Sequence, residues 1–361
     1  MASSFLFIER FPALVPPLII FLLAFFIAFH VTLLMRAIAP HCGLMDHPGG
    51  RKTHAAPIPC SGGVAIVCGV LISLLLTYGN SPQIHAILAA GVGIAIVGLL
   101  DDLYGVSAPI KLLALAVACL ALSTAGIGLN RTPYPVLNYA LTFLWIAGVS
   151  SAFNAIDNTD GLAGSICVIS GLALFLLGWS TWQIGFSFLA MALAGSVLGF
   201  LHHNIPRARI YMGDTGSFFL GYILAVLVIF GEWSESGMRS FLSGCFVLAL
   251  PIFDLGLTTL LRARHGIIRS LLEALSHSDR DHLSHRLQHM GFSQGRMLAI
   301  LCLLSVACCE VALIIVSAPG PVAAVAVGFA VLMLGWFGLH LDRRTSLPGL
   351  WVHGKPKSAT R

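Results

Sequence analysis

Long apolar runs alternate with short polar connections along the whole chain. Runs of spanning length fall near 13–36, 62–78, 84–100, 110–127, 137–153, 163–178, 183–201, 215–231, 239–261, 297–317 and 320–341. About 20 apolar residues in a helix match the thickness of a bilayer's hydrocarbon core. The pattern therefore predicts an all-α polytopic integral membrane protein with about eleven transmembrane helices. Pro and Gly punctuate several junctions, such as "SPQ" at 81–83 and "APGP" at 318–321. The first run, from Pro12 to Met35, is longer than the core of a cleavable signal peptide and no small-residue cleavage site follows it. It reads as the first span. No short repeat or low-complexity segment interrupts the series. The expectation is one transmembrane domain over 1–341 and a polar, basic cytoplasmic tail over 342–361.

Composition supports the pattern. The 361 residues are 57% hydrophobic and only 10% charged, with a mean hydropathy of +0.91. The nine cysteines are scattered and form no CxxC pair, which suggests neither a zinc site nor a disulfide framework. No GxxxxGK[ST] or GxGxxG element is present, so nucleotide binding by those routes is not supported. Nothing points to nucleic acid as a partner.

Charge sets an orientation. With the loops after odd-numbered spans and the C-terminus on one side, that side holds all of the 20 Lys and Arg except Arg10, Arg131 and Arg239. The positive-inside rule makes it cytoplasmic, with the N-terminus outside. Asp46, Asp101, Asp102, Asp157, Asp160 and Asp214 fall on the same side. A channel or cation-coupled transporter tends to place ionisable groups near mid-membrane and often shows repeat symmetry. Here the polar groups crowd one edge, which suggests chemistry at the cytoplasmic membrane surface.

Several segments could carry that chemistry. In "IVGLLDDLYG" (96–105), two carboxylates end an apolar run, where the negative end of the helix dipole disfavours them unless a cation is near. A solvated loop start is the structural alternative. In "NAIDNTDGLAGS" (154–165), a helical turn would put Asp157 and Asp160 on one face with Asn154, although capping of the next helix would also use such residues. In "HHNIPRARIYMGDTGS" (202–217), Asp214 is placed to cap the eighth span, and Gly213 and Gly216 permit close approach to a ligand or metal. Together these aspartates would form a hard-oxygen pocket suited to Mg²⁺, with Mn²⁺ an alternative. "GGRKTHAAPIPCSGG" (49–63) offers Lys52 to a phosphate, or serves only as a basic anchor. In "SHSDRDHLSHRLQHMGFS" (276–293), His282 and His285 lie beside Arg280 and Arg286. An anion or diphosphate site fits them better than zinc, and an amphipathic interfacial helix is the structural alternative. Asp254 lies within the ninth span, where an ionisable residue implies a function or a partner on a neighbouring helix.

In this order, "RKTHAAPIPCSGG", "GLLDDLYG", "NAIDNTDGL", "HNIPRARIYMGDTGS" and "DRDHLSHRL" resemble the motifs of the polyprenyl-phosphate N-acetylhexosamine-1-phosphate transferases, glycosyltransferase family 4. The resemblance covers 51–287. It implies Mg²⁺-dependent transfer of a sugar-1-phosphate from a UDP-HexNAc, most simply UDP-GlcNAc, to undecaprenyl or another polyprenyl phosphate, with release of UMP. Such a step initiates a lipid-linked cell-surface glycan such as O-antigen, common antigen or a teichoic acid linkage unit. The setting would be the bacterial cytoplasmic (inner) membrane, and a homo-oligomer is compatible with it. By motif match, Asp101 resembles the residue that deprotonates the lipid phosphate and Asp102 supports metal or lipid phosphate. Asp214 resembles the main Mg²⁺ ligand, and Lys52 contacts phosphate. Asn154, Asp157 and Asp160 shape the nucleotide and metal pocket, with the two aspartates in the catalytic set. Asn204 and Tyr211 align with uracil-side positions, and His282, His285 and Arg286 with a loop contacting diphosphate or sugar. One departure stands out: the non-peptidoglycan branch usually reads His-x-His-His, whereas Ser284 stands here for the middle histidine. The peptidoglycan branch has three successive histidines, so the chain is closer to the first branch.

Overall fold

The computed structural model describes residues 15–48, 56–78, 81–268 and 281–345. In order, these form α1 (Val15–Cys42), β1 (Met45–Asp46), β2 (Ile58–Pro59), α2 (Gly62–Thr77), α3 (Pro82–Tyr104), α4 (Ala108–Thr124) and α5 (Pro135–Ile156). There follow α6 (Leu162–Ser180), α7 (Ile184–Asn204), α8 (Gly213–Phe230), α9 (Gly237–Val247), α10 (Ala249–Arg264), α11 (Leu283–His289), α12 (Gln294–Ser317) and α13 (Gly320–Thr345). The protein is all-α apart from the β1–β2 ribbon, which pairs antiparallel with Met45 opposite Pro59.

Every apolar run expected from the sequence is helical, but the runs are not equivalent. Among the described residues, eight helices are long and apolar enough to cross a membrane, or nine if α9 and α10, bent by 71°, make one broken span. The helices α2 and α4 have only 16 and 17 residues, about 24–26 Å of helix. Eleven full spans are therefore not what the helix lengths give. The last helix runs on through Thr345, so Asp342, Arg343 and Arg344 stand in its final turn. The remainder of the expected tail lies outside the described residues.

Two helices, α7 and α8, form the centre. Nearly every side chain of each is buried, which explains why neither shows a polar stripe. Against α7 lie α1, α2 and α6; against α8 lie α3 and α5. At the periphery, α1 and α13 expose most of their apolar side chains, including Phe26, Leu34, Phe329 and Trp336. In lipid there is no hydrophobic drive between helices, so close backbone contact must hold them together. The sequence supplies it at Gly195 and Gly199, four residues apart on α7. A Cβ at Gly195 would stand 2.2 Å from the carbonyl oxygen of Phe21, and one at Gly199 would stand 2.3 Å from that of Phe25. Ala24 and Ala28 are fully buried on the α1 side of this seam.

The substitution Gly199→Val should therefore force α1 away from α7 and destabilise the protein by roughly 1–3 kcal/mol. The expected result is a lower thermal midpoint in detergent. Gly93→Ala, where a Cβ meets nothing within 4 Å, should leave the midpoint unchanged.

Candidate active site

Four helix ends meet in one polar cluster: the last turns of α3 and α5 and the first turns of α4 and α8. The chain turns sharply after α3 because Gly105 adopts φ 73°, and its N–H returns to the Asp101 carbonyl at 2.9 Å. That turn carries α4 back beside α3 and brings Lys111 to the aspartates.

Asp101 and Asp102 are neighbours in sequence with different surroundings. The Lys111 Nζ lies 2.5 Å from Asp101 Oδ2 and 2.5 Å from Asp214 Oδ2, and 5.1 Å from the centroid of the Phe218 ring. The other oxygen of Asp101 accepts the Val106 N–H. Asp102 instead reaches the start of α8. Its Oδ1 accepts the Asp214 N–H at 2.8 Å. Its Oδ2 accepts the Thr215 N–H at 3.0 Å and the Thr215 hydroxyl at 2.7 Å. A carboxylate at a helix N-terminus satisfies orphan N–H groups and meets the positive end of the dipole. The α8 N-terminus is therefore capped from α3. Asp214 itself lies in the first turn and does not cap the helix as expected from the sequence. Gly213 is required at the junction: its φ is +69°, and a Cβ there would lie 2.5 Å from Asp102 Oδ2.

The remaining residues of the cluster come from α5 and the loops. Asn154 donates from Nδ2 to Asp214 Oδ1 at 3.0 Å and to Ser217 Oγ at 2.9 Å. Asp157 is the C-cap of α5, and the stretch 157–161 is a turn. The two aspartates thus do not share a helical face as their spacing suggested. Asp160 Oδ2 accepts the Ala208 N–H at 2.9 Å. Among the described residues the Asp157 carboxylate has no hydrogen-bond donor. Burial, and then the charges of Asp214, Asp102 and Asp160, push Asp157 well above the ordinary carboxylate range. Tyr211 borders the cluster, bridged through its backbone to Cys60. Burial and nearby carboxylates, Asp160 first, push its phenol up to about 12.

Four similarities to known proteins bear on this cluster. The model of glycosyl transferase family 4 matches residues 84–232, the stretch that carries all five clustered aspartates. A protein of Bacillus subtilis (strain 168) named "Probable undecaprenyl-phosphate N-acetylglucosaminyl 1-phosphate transferase" is 34% identical over 82% of this chain and 83% of its own. A Mycobacterium tuberculosis protein named "Decaprenyl-phosphate N-acetylglucosaminephosphotransferase" is 30% identical over 78% of each chain. An Escherichia coli (strain K12) protein named "Undecaprenyl-phosphate alpha-N-acetylglucosaminyl 1-phosphate transferase" is 24% identical over 74% of this chain and 75% of its own. The chain belongs to glycosyl transferase family 4.

Within this family-4 protein, other expected site residues take structural positions. Asn204 is 4% exposed. Its Oδ1 accepts the Gly161 N–H and its Nδ2 donates to the Ile210 carbonyl, both at 2.8 Å. It ties two loops together and is not an open contact for a base. Arg286 is 2% exposed. Its Nε donates to the Asp281 carbonyl at 2.7 Å, and a terminal nitrogen donates to Thr345 Oγ1 at 2.9 Å. That buried guanidinium braces α11 against α13. His285 is half-buried in α11. Lys52 and Arg280 lie outside the described residues. Asp101 stands as an ion pair with Lys111 at the end of α3. Gly216 packs against Gly63, a helix contact rather than room for a ligand.

Sequence reasoning missed Lys111, Thr215 and Ser217. A signal for Lys111 existed: it is the only Lys or Arg between Lys52 and Arg131, placed at the head of an apolar helix.

Replacing Lys111 with Met would leave Asp101 and Asp214 facing each other without a cation. The thermal midpoint should fall, by roughly 1–3 kcal/mol of stability for this partly exposed pair. The loss should be smaller at pH 5 than at pH 8, because protonating one carboxylate relieves the repulsion. Asp102→Ala should remove the α8 cap at a cost of about 1–2 kcal/mol, whereas Asp102→Asn, which retains an acceptor, should lose less. Differential scanning fluorimetry of the four purified proteins, wild type included, checks both outcomes.

Proposed function

We propose that this protein transfers N-acetylglucosamine-1-phosphate from UDP-GlcNAc to undecaprenyl phosphate, using Mg²⁺, at the cytoplasmic face of a bacterial inner membrane. The observation that carries this reading is the cluster of five aspartates and Lys111 at the ends of apolar helices. The relatives' names supply the sugar and the lipid class. The seat at a membrane edge suits one water-soluble and one lipid substrate. A small apolar hollow lined by Ile94, Val97, Gly98, Ala114, Leu115 and Phe218 adjoins Lys111. Charge asymmetry supports an outside N-terminus and an inside C-terminus.

The reaction balances simply. An oxygen of the lipid phosphate forms a new bond to the β-phosphorus of the UDP-sugar. The bond from that phosphorus to the bridging oxygen breaks, and UMP leaves with the electron pair. A phosphate monoester has its second pKa near 6, so the acceptor is largely dianionic near neutrality and needs little help from a base. What it needs is approach to another phosphate. Among the described residues of the cluster Lys111 is the cation suited to that task, and Phe218 and the two aspartates hold it there. Asn154 and Asp102 keep Asp214 from turning away.

The donor set fits a hard divalent ion. Among the described residues no three His, Cys, Asp or Glu side chains converge on a metal position, and Mg²⁺ commonly uses one or two carboxylates and takes its other ligands from water and substrate phosphates. Asp214 and the undonated Asp157 are the residues that would hold it. Asp102 supports Asp214 from behind, because its oxygens already serve the α8 N-terminus. When bound, the ion neutralises charge on the diphosphate and the departing UMP. His282-Leu283-Ser284-His285 lacks the three successive histidines of the peptidoglycan branch, which supports a UDP-HexNAc donor without a peptide, although Ser284 also departs from the usual pattern of the other branch.

Purified protein in detergent with undecaprenyl phosphate, Mg²⁺ and UDP-[¹⁴C]GlcNAc should give labelled lipid and equimolar UMP. Chelation of the metal should stop turnover, and Asp214→Asn should lower it at least about 100-fold, the scale of a lost charge-stabilising group, while the protein remains folded. Absence of lipid product with every UDP-HexNAc tried would overturn the reading.

A further inference from the structure

Asp254 lies in α10, just after the bend that breaks this span, and only 1% of it is exposed. A buried carboxylate among apolar helices costs several kcal/mol unless it is fully paired. Both oxygens are paired, and to one segment. Oδ1 accepts the Leu283 N–H at 2.8 Å, one of the orphan donors at the start of α11. Oδ2 lies 2.8 Å from His282 Nδ1. A carboxylate has no proton to give, so Nδ1 must carry the hydrogen. The tautomer of the ring is thereby fixed, leaving Nε2 as the one ring atom available to a ligand.

The same segment is pinned from two other directions. Asp281 receives a two-pronged contact from Arg262, at 2.8 and 2.6 Å. The Ser284 hydroxyl donates to Asn158 Oδ1 at 2.5 Å, and Asn158 belongs to the turn that carries Asp157 and Asp160. His282 therefore sits on a backbone fixed to α10 on one side and to the acidic cluster on the other.

We propose that Asp254 is the positioning residue for His282: from within the broken span it holds the imidazole with Nδ1 protonated and offers Nε2 to a substrate phosphate. The inference rests on the transferase reading above. The groups facing the ring are Asp254 and Arg262 of α10 and Asp281 of its own segment. Among the described residues, Arg286 and, from α13, Asp342 stand next along it, and α12 carries Arg296, exposed at its first turn, and Glu310 further along. Burial pulls His282 down, Asp254 and then Asp281 push it up, Arg262 opposes them, and the net direction is up. A protonated His282 is the form that binds phosphate best. Activity that depends on it is present below the ring's pKa and lost as pH rises through it, so removing Asp254 should move that loss to lower pH.

The test compares wild type, Asp254→Asn, Asp254→Glu and His282→Gln as full-length proteins. Asparagine keeps an acceptor for Leu283 but presents an NH₂ group to Nδ1, which reverses the tautomer. For Asp254→Asn, kcat should fall about 10–100-fold, the scale for losing a group that orients a site histidine, with both KM values within about threefold. The alkaline limb of its kcat profile should move to lower pH. Asp254→Glu should recover part of the rate and the wild-type limb, which keeps the proposal testable if the asparagine variant fails to fold. In ¹⁵N-histidine NMR, the His282 ring, identified by its loss in His282→Gln, should show protonated Nδ1 in wild type and the reversed pattern in Asp254→Asn. An unchanged tautomer, an unmoved limb, or full activity in Asp254→Asn would overturn the proposal. If wild type transfers no sugar phosphate at all, the transferase reading fails, and the NMR comparison still decides whether Asp254 sets the His282 ring.

Discussion

The contact between the Asp102 carboxylate and the first turn of α8 organises this protein. An isolated carboxylate at the C-terminal end of α3 would be repelled by the helix dipole, and the unpaired N–H groups of α8 would be stranded at the membrane edge. Joining them removes both penalties at once. It also fixes the end of one spanning helix against the beginning of another, and every other residue of the cluster takes its place from that junction. Asp214 is held because its own N–H is one of the donors. Lys111 is held because Asp214 and Asp101 then stand on either side of it. The close approach depends on Gly98, where a Cβ would lie 2.7 Å from the Thr215 backbone.

Below this junction the chain obeys the rules of lipid, and above it those of water. In the apolar layer, Gly and Ala seams bring backbones together, and some large polar side chains find carbonyls: Tyr222 bonds Ile87 and Trp145 bonds Ala225, both at 3.0 Å. At the rim, loops such as 157–161 and 205–212 have no helical ladder to satisfy their backbone groups. That demand explains why Asn204 and Asp160, which look like ligand contacts in the sequence, are tied to the Gly161, Ile210 and Ala208 backbone.

What could be read from the sequence follows from the same physics. Charged residues are so costly in apolar runs that their positions stand out, and Asp101, Asp102, Asp157, Asp160 and Asp214 were legible as one acidic edge. The helices were legible because their apolar length is a direct consequence of the bilayer. Partnerships were not. Whether Asp102 serves a metal or a helix end depends on where α8 starts relative to α3, a matter of tertiary packing over more than 100 residues. Arg286 shows the same limit: an arginine beside two histidines suggests an anion site, and its contacts with Thr345 and Asp342 on α13 come from packing the sequence does not display. The bend between α9 and α10 has a mark in the sequence that the apolar pattern overshadows: Pro251, three residues past the break, cannot continue the preceding helix's hydrogen-bond ladder.

Ser284 shows how one small side chain can set the distance between two parts of a site. It is 1% exposed, and its hydroxyl reaches Asn158 directly. Asn158 is anchored in turn, its Nδ2 donating to the Ala155 carbonyl at 2.8 Å and its Oδ1 also accepting the Thr159 hydroxyl at 3.0 Å. An imidazole at 284 would extend several ångströms further from the backbone than a hydroxyl does. Either α11 or the 157–161 turn would then have to withdraw, and in a close-packed interior such a shift is transmitted to whatever both elements carry. One of them carries Asp157 and Asp160; the other follows His282. The serine thus fixes the spacing between the acidic cluster and the histidine, and a chain with histidine at this position must achieve that spacing with a different backbone.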